Sequence, residues 1–168
     1  MRRIRKKFKK PRSPWGIVKI RDERKLLNEY GLRRKKEMLV AQEILRSYRE
    51  RARKLIAEKD KEKERILIEK MASIGLLTKK ESTLDDILAL NITNVLDRRL
   101  QTLVFRKDLA KTPLQARQLI VHGHVSVAGR RTKFPSCLVP VEHERKIMLY
   151  ESRREKATIA QPPQEAGE

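Results

Sequence analysis

Residues 95–139 read VLDRRLQTLVFRKDLAKTPLQARQLIVHGHVSVAGRRTKFPSCLV, and they are the most informative stretch of the chain. Its apolar residues first follow helical spacing and then alternate, which predicts two helices followed by a hairpin. Between positions 98 and 133 it carries nine Lys or Arg residues and one acid, a local excess of eight positive charges. A unit this small, with charge this one-sided, is typical of proteins that bind an extended polyanion.

Both helices of this stretch have recognisable signals. The first is predicted from the helical spacing of five apolar residues, Val95, Leu96, Leu100, Leu103 and Val104. After a connection at 108–111, the second begins with Thr112 as N-cap and Pro113 at the first helical position, and Gln115 closes a capping box. Gly123 ends it.

The sequence period changes after Gly123. Residues 125–127 alternate and Ala128-Gly129 supplies a turn, although Ala128 stands where Asn is commoner before Gly. Two further short strands are predicted over 137–141 and 146–150, joined through 142–144. The predicted class is α+β: an N-terminal helical region plus a small two-helix module with a short antiparallel β-sheet.

Helices dominate the predicted N-terminal half. A short helix over 22–30 precedes a longer amphipathic one, indicated by apolar residues three or four positions apart: Met38, Ala41, Leu45, Tyr48, Ala52 and Leu55. Shorter helices are predicted over 66–74 and 83–91, with 58–65 as a solvated helix extension or a surface loop. The chain therefore divides into a basic arm (1–16), a helical N-terminal domain (17–92), a second domain (93–150) and a C-terminal tail (151–168) whose end is expected to be disordered.

Charge decides which partner classes are expected. The chain has 42 Lys and Arg against 22 acids, a net charge of +20, and residues 1–12 alone hold eight basic residues and no acid. Nucleic acid is the first candidate for the anionic partner and a membrane surface the second. No apolar run approaches the roughly 20 residues of a membrane span. The single Cys137 excludes an intramolecular disulfide and fits a reducing compartment, so an intracellular protein is expected.

The sequence offers little for catalysis. Its histidines are His122, His124 and His143, and the first two flank Gly123 at a helix end. That pair could contact a metal, but no third ligand lies at a suitable spacing, so helix capping or phosphate contact is favoured. No glycine-rich phosphate loop or Ser/His/Asp set is present. We therefore predict no enzymatic activity, no metal, no cofactor and no small-molecule substrate.

RNA is favoured over DNA by the composition of the second domain. Its only candidate stacking platforms, Phe105 and Phe134, are predicted to pack inside, so base stacking on aromatic residues is not expected. Basic side chains and polar groups suit phosphate and sugar contacts. This combination indicates recognition of a folded nucleic acid by shape, which is more typical of structured RNA.

Four runs of the second domain match a known module: LDRRL at 96–100, AKTP at 110–113, ARQLI at 116–120 and GHVSV at 123–127. They closely resemble the alpha-L RNA-binding module, which is named after small-subunit ribosomal protein four. The run NVLDRRLQTLVF at 94–105, EYGL at 29–32 and Trp15 look like the archaeal and eukaryotic branch of that ribosomal protein family. The module also occurs in pseudouridine synthases and RNA methyltransferases, but no catalytic domain fits in the remaining helical residues.

The resemblance implies a fold and a role. Residues 93–150 would form the alpha-L RNA-binding domain, with two helices against a small sheet. The protein would bind the 5′ domain of small-subunit rRNA at a multi-helix junction, early in subunit assembly. It would lie near the mRNA entry channel beside other small-subunit proteins, on the cytoplasmic ribosome. Some bacterial relatives carry an N-terminal Cys zinc site, which this chain lacks.

The resemblance also implies which residues face RNA, with Arg99 and Arg117 as the strongest candidates. Within the module they are Arg98, Arg99, Arg106, Lys107, Lys111, Thr112, Gln115, Arg117, Gln118, His122, His124, Arg130, Arg131 and Lys133. Charge alone adds residues of the basic arm, which is expected to be unfolded in the free protein and to thread into RNA: Arg2, Arg3, Arg5, Lys6 and Lys7.

Two other interpretations of the sequence stay open. One is a free-standing RNA-binding factor that acts on ribosomes or tRNA, and partner RNA would distinguish it. The other is an enzyme subunit whose catalytic part lies on another chain, which an assay of RNA base modification would expose.

Overall fold

The computed structural model describes residues 7–9, 11, 15–77 and 82–150. Within those ranges the helices are α1 Ile17–Glu29, α2 Lys35–Glu58, α3 Lys61–Ile74, α4 Leu84–Ala89, α5 Ile92–Asp97, α6 Leu100–Arg106, α7 Pro113–His122 and α8 Val141–Glu144. The strands are β1 Val125–Val127, β2 Arg130–Arg131 and β3 Ile147–Leu149. The predicted α+β class is confirmed. Over the same ranges, no helix combines the length and the apolar character that crossing a bilayer requires.

Helix α2 forms the centre of the first apolar core. Its predicted stripe is confirmed, because Met38, Ala41, Leu45, Ala52 and Leu55 are buried and Tyr48 packs against them partly buried. Against this stripe pack α1, α3, α4 and α5. The core also takes in Val95 and Leu96 of α5, so the two apolar cores of the described chain meet at Arg98 and Arg99.

Local interactions set where α1 ends and where α3 begins. Helix α1 begins at Ile17, five residues before the predicted start, and Gly31 follows its end in the left-handed region at φ +57°. A Cβ on Gly31 would lie 2.8 Å from Cβ of Pro113 in the second domain, so this turn also needs glycine for its close approach. Within the charge run 58–65, Asp60 caps α3 by accepting a hydrogen bond from the backbone of Lys63.

The predicted continuous helix over 95–104 is wrong, because the chain leaves the helix at Arg98 and becomes extended at Arg99. Arg99 has ψ 143° and forms an isolated antiparallel bridge with Leu138. The Leu100 amide donates to the Cys137 carbonyl at 2.8 Å, and the Val139 amide donates to the Arg98 carbonyl at 3.2 Å. Apolar spacing continues across the break because both α5 and α6 bury one face, so periodicity could not reveal it.

The second apolar core lies between α6, α7 and a three-stranded antiparallel sheet ordered β2-β1-β3. The predicted strand over 146–150 is confirmed as β3. The predicted strand over 137–141 is wrong: it supplies only the bridge at Leu138, and Val141 begins the short helix α8. The hairpin is confirmed with Val127 opposite Arg130, so Ala128 and Gly129 alone form the turn.

Both turn residues have positive φ, 50° at Ala128 and 78° at Gly129. This is the turn geometry that favours Asn-Gly, and a non-glycine residue such as Ala adopts it at a cost. We expect Ala128→Asn to raise the free energy of unfolding by about 0.5–1 kcal/mol, measured by urea unfolding.

Gly129→Ala is the matched control for this prediction. No heavy atom lies within 4 Å of a Cβ added at Gly129, so its substitution tests backbone conformation without a clash. It should lower stability by about 1 kcal/mol. A loss of stability in Ala128→Asn would contradict the left-handed conformation at that position.

Candidate nucleic-acid interface

Seven predicted site residues are exposed and lie on α7, on the hairpin or within two residues of them, and this set is here called the α7–hairpin surface. They are Lys111, Gln115, Gln118, His122, His124, Arg130 and Lys133. Gln115, Gln118 and His122 are three and four residues apart and share one face of α7. In the described part of the chain, the cations Lys111, Arg130 and Lys133 form no ion pair. Their charges are therefore available to an external anion.

The start of α7 is fixed by its cap. The Thr112 hydroxyl accepts from the Gln115 amide at 3.1 Å, and Pro113 occupies the first turn as predicted. The predicted capping box is corrected in one detail: Gln115 Oε1 accepts from the Lys111 amide at 2.8 Å, one residue before the N-cap. This bond places Lys111 directly beside the helix N-terminus.

Arg131 fixes the C-terminal end of α7. Gly123 lies at φ +79°, and the His124 amide donates back to the Leu119 carbonyl at 2.8 Å. Arg131 donates from Nε to the Gly123 carbonyl at 2.7 Å and from Nη2 to the His122 carbonyl at 3.0 Å. Its guanidinium also lies 5.6 Å from the ring centroid of Tyr150. Arg131 thus fixes the backbone at the end of α7 through its bonds to the His122 and Gly123 carbonyls.

The structure places Arg99, a predicted RNA-facing residue, inside the protein. Arg99 is only 4% exposed, and its Nη2 lies 2.6 Å from Oε2 of Glu37. Arg117 donates to both oxygens of the same carboxylate, at 3.0 and 2.9 Å. Both guanidinium groups are therefore committed to Glu37 of α2. The physical reason is that Arg99 stands at the extended break between α5 and α6, which turns its side chain inward.

The two arginines change the pKa of the Glu37 carboxyl. Burial by itself raises the pKa of its carboxyl, but the hydrogen bonds and charges of Arg117 and Arg99 outweigh it, so the pKa lies below its usual range. The carboxylate therefore stays ionised and joins α2 to the second domain.

A buried amide reinforces the same junction. Gln101, which is 1% exposed, directs Nε2 at the carbonyl oxygens of Tyr30, Gly31 and Pro113, at 3.1, 3.0 and 3.0 Å. It thereby ties the turn after α1 to the first residue of α7. Sequence spacing gave no signal for this residue, because its three partners lie in distant parts of the chain.

Two more predicted residues, Arg98 and Lys107, make internal contacts. Arg98 donates to the carbonyls of Ile74 and Val139, both at 2.9 Å, and pairs with Glu144 at 2.7 Å. Lys107 donates from Nζ to the Glu144 carbonyl. Both side chains hold α8 against the rest of the protein.

Arg106 is exposed to solvent and also forms an ion pair. It remains half exposed while its Nη2 lies 2.6 Å from Oδ1 of Asp97. Asp97 also accepts from the Tyr30 hydroxyl at 2.9 Å. Burial, followed by this hydrogen bond and the Asp97 charge, raises the pKa of Tyr30 to about 12. Tyr30 therefore stays a neutral donor.

The predicted burial of the phenylalanines is wrong for Phe134, which is 72% exposed, and Phe105 is 37% exposed. Residues 134–137 form a turn in which the Cys137 amide donates to the Phe134 carbonyl, leaving the ring outside. In the basic arm, Lys7 is exposed. Arg2, Arg3, Arg5 and Lys6 lie outside the described residues.

A second basic feature, on α2, is absent from the predicted site. Arg46, Arg49 and Arg53 line a cleft of about 530 Å³ together with Asn91. Their three- and four-residue spacing places them on one helix face, and that spacing was the available signal. Arg49 donates from Nη2 to the Leu90 carbonyl, which fixes it between α2 and the start of α5.

Comparison with known proteins identifies the family. Residues 98–144 match the S4 domain. The small ribosomal subunit protein uS4 of Methanococcus aeolicus is 47% identical over 146 residues, which cover 85% of this chain and 82% of that protein. The uS4 proteins of Sulfurisphaera tokodaii and Saccharolobus islandicus are each 42% identical, over 99% of this chain and 94% of their own lengths. With such identity over nearly the whole length, this chain belongs to the uS4 family of small ribosomal subunit proteins.

Proposed function

We propose that this chain is a structural rRNA-binding protein of the small ribosomal subunit, without catalytic activity. It binds the 5′ domain of small-subunit rRNA and helps to nucleate assembly of the subunit body. In the assembled subunit it lies near the mRNA entry channel beside other small-subunit proteins, where it contributes to translational accuracy.

The observation that carries this proposal is the division of the basic residues into two groups. Arg98, Arg99, Arg117 and Arg131 are bonded to the protein's own carbonyl and carboxylate oxygens. Arg117 and Arg131 hold α7 and the hairpin in place, and Arg98 and Arg99 fix the segment between α5 and α6. The cations of the α7–hairpin surface have no such partners in the described chain. A rigid frame that presents unpaired cations suits a folded RNA whose phosphates have fixed positions.

The N-terminal basic residues extend the proposed contact. Lys7 is exposed, and Arg2, Arg3, Arg5 and Lys6 add positive charge to the same end of the chain. Such a segment adds phosphate contacts without needing a surface of defined shape.

The direct test compares binding to two transcripts of equal length, one from the 5′ domain of small-subunit rRNA and one from large-subunit rRNA. Filter binding at rising salt is the measurement. The proposal expects preference for the 5′-domain transcript to persist at high salt, where nonspecific attraction has faded. Equal affinity for both transcripts throughout the titration would contradict it.

Single substitutions should act mainly through counterion release. Each of Lys111→Ala, Arg130→Ala and Lys133→Ala is expected to weaken binding modestly and to reduce the log–log salt slope by about 0.7–0.9. The measurement is the slope of the binding constant against salt for the 5′-domain transcript. Lys61→Ala on α3, also exposed, is the matched control and should leave the slope unchanged. Three wild-type slopes would exclude phosphate contacts at these positions.

A further inference from the structure

The end of α7 carries two imidazole rings that form no hydrogen bond or ion pair with the residues that the structure describes. His122 and His124 are exposed, with ring centroids 6.4 Å apart and planes inclined by 28°. This separation is near the outer limit for aromatic rings that attract each other directly. Stacked bases in nucleic acids rise about 3.4 Å per step, so one base between two rings needs about 7 Å. The observed separation is close to that value, and exposed side chains can rotate to reach it.

A cavity lies at the same rings. It has a volume of about 300 Å³ and is lined by Gln115, Gln118, Leu119, His122 and His124. Leu119 supplies an apolar wall, and the two glutamines supply amide groups. The side-chain amide of Gln118 forms no hydrogen bond with the described residues. The Gln115 side chain uses only its Oε1 within the protein, so its N–H donors stay available. The cavity thus combines stacking faces with the donors and acceptors that read a base edge.

The backbone that carries the rings is fixed before any ligand arrives. Arg131 bonds to the carbonyls of His122 and Gly123, while the Tyr150 amide donates to the His124 carbonyl at 2.8 Å. A Cβ on Gly123 would overlap the Arg131 guanidinium, so only glycine permits this geometry. Preorganisation of this kind reduces the entropy lost on binding.

We infer that His122 and His124 form a clamp that receives one unpaired nucleobase, with Gln118 and Gln115 bonding to the base edge. This inference rests on the proposed function, because it assigns one element of the RNA that the protein binds. It also differs from the sequence expectation of helix capping or phosphate contact at these histidines.

The test separates stacking from phosphate contact with two double variants. His122→Ala/His124→Ala removes both rings, and His122→Phe/His124→Phe keeps a stacking face but cannot donate to a phosphate. On the 5′-domain transcript the Ala pair should bind roughly tenfold or more weakly, and the Phe pair within about threefold of wild type. Chemical probing should show one unpaired base protected by the wild-type and Phe proteins but not by the Ala protein.

Arg130→Ala/Lys133→Ala is the control, since it should weaken binding while the base stays protected. A Phe pair as weak as the Ala pair, or an Ala pair with wild-type affinity and footprint, would overturn the clamp. Circular dichroism confirms that each variant is folded. The same proteins are also measured on the large-subunit transcript: equal wild-type binding to both transcripts refutes the proposed function, whereas the Ala and Phe comparison decides the clamp on either RNA.

Discussion

Glu37→Ala is expected to lower the free energy of unfolding by about 3 kcal/mol. The substitution leaves the guanidinium groups of Arg99 and Arg117 without their shared carboxylate, and Arg99 is 4% exposed. Uncompensated buried charge is among the largest costs that a single substitution can impose. We take the lower end of the usual range because Arg117 retains some access to water.

This contribution should depend on pH in a defined direction. The pKa of Glu37 in the folded protein lies below its ordinary value of 4.5. The ion pairs therefore stabilise the fold fully above that value, and their contribution is lost as the pH falls through the lower folded-state pKa. Urea unfolding of wild type and Glu37→Gln between about pH 6 and pH 3 should show the difference between them shrinking toward the acid end.

The matched control is Glu43→Ala on the same helix, since Glu43 makes no ion pair within the described residues. Its loss should change stability by less than about 1 kcal/mol. If Glu37→Ala lowered the free energy of unfolding no more than Glu43→Ala, the contact of Glu37 with Arg99 and Arg117 would not stabilise the fold.

Reversing three charges on the α7–hairpin surface should have the largest effect on RNA binding. The triple variant Lys111→Glu/Arg130→Glu/Lys133→Glu should weaken binding to the 5′-domain transcript by at least about a hundredfold at physiological salt. It removes three cations that lack internal partners and brings three anions against the RNA backbone. Because all three residues are exposed, the fold should persist, as thermal unfolding can check.

A second triple variant separates position from charge. Lys61→Glu/Arg65→Glu/Lys70→Glu changes the net charge equally at three exposed positions of α3, outside the α7–hairpin surface. It should weaken binding far less, since long-range repulsion is screened at physiological salt. Equal losses in the two triple variants would mean that the total charge of +20, rather than the α7–hairpin surface, drives RNA binding.

Local signals in the sequence predicted much of the fold. The stripe of α2, the Thr112 cap with Pro113, and the end of α7 at Gly123 all depend on residues within four or five positions of each other. The Ala128-Gly129 turn belongs to the same class. Side-chain spacing and backbone preference suffice for such features, so the sequence alone reveals them.

Long-range pairing limited the prediction of the site. Arg99 looked like a surface cation because its partner, Glu37, lies 62 residues away and its helix breaks at that point. Gln101 joins segments up to 71 residues apart, and no motif announces it. A basic residue is equally compatible with an internal carboxylate and with an external phosphate. Only the fold distinguishes these partners, and it pairs both Arg99 and Arg117 with Glu37.

We infer that this protein binds the 5′ domain of small-subunit rRNA in cells. The most direct measurement is to crosslink the protein to RNA in cells, wash at high salt, and sequence the RNA that remains attached. We expect crosslinks concentrated in the 5′ domain, with contact sites that move or vanish in the α7–hairpin triple variant. Crosslinks on tRNA, on large-subunit rRNA or scattered over mRNA would contradict it and would indicate a free-standing RNA-binding factor.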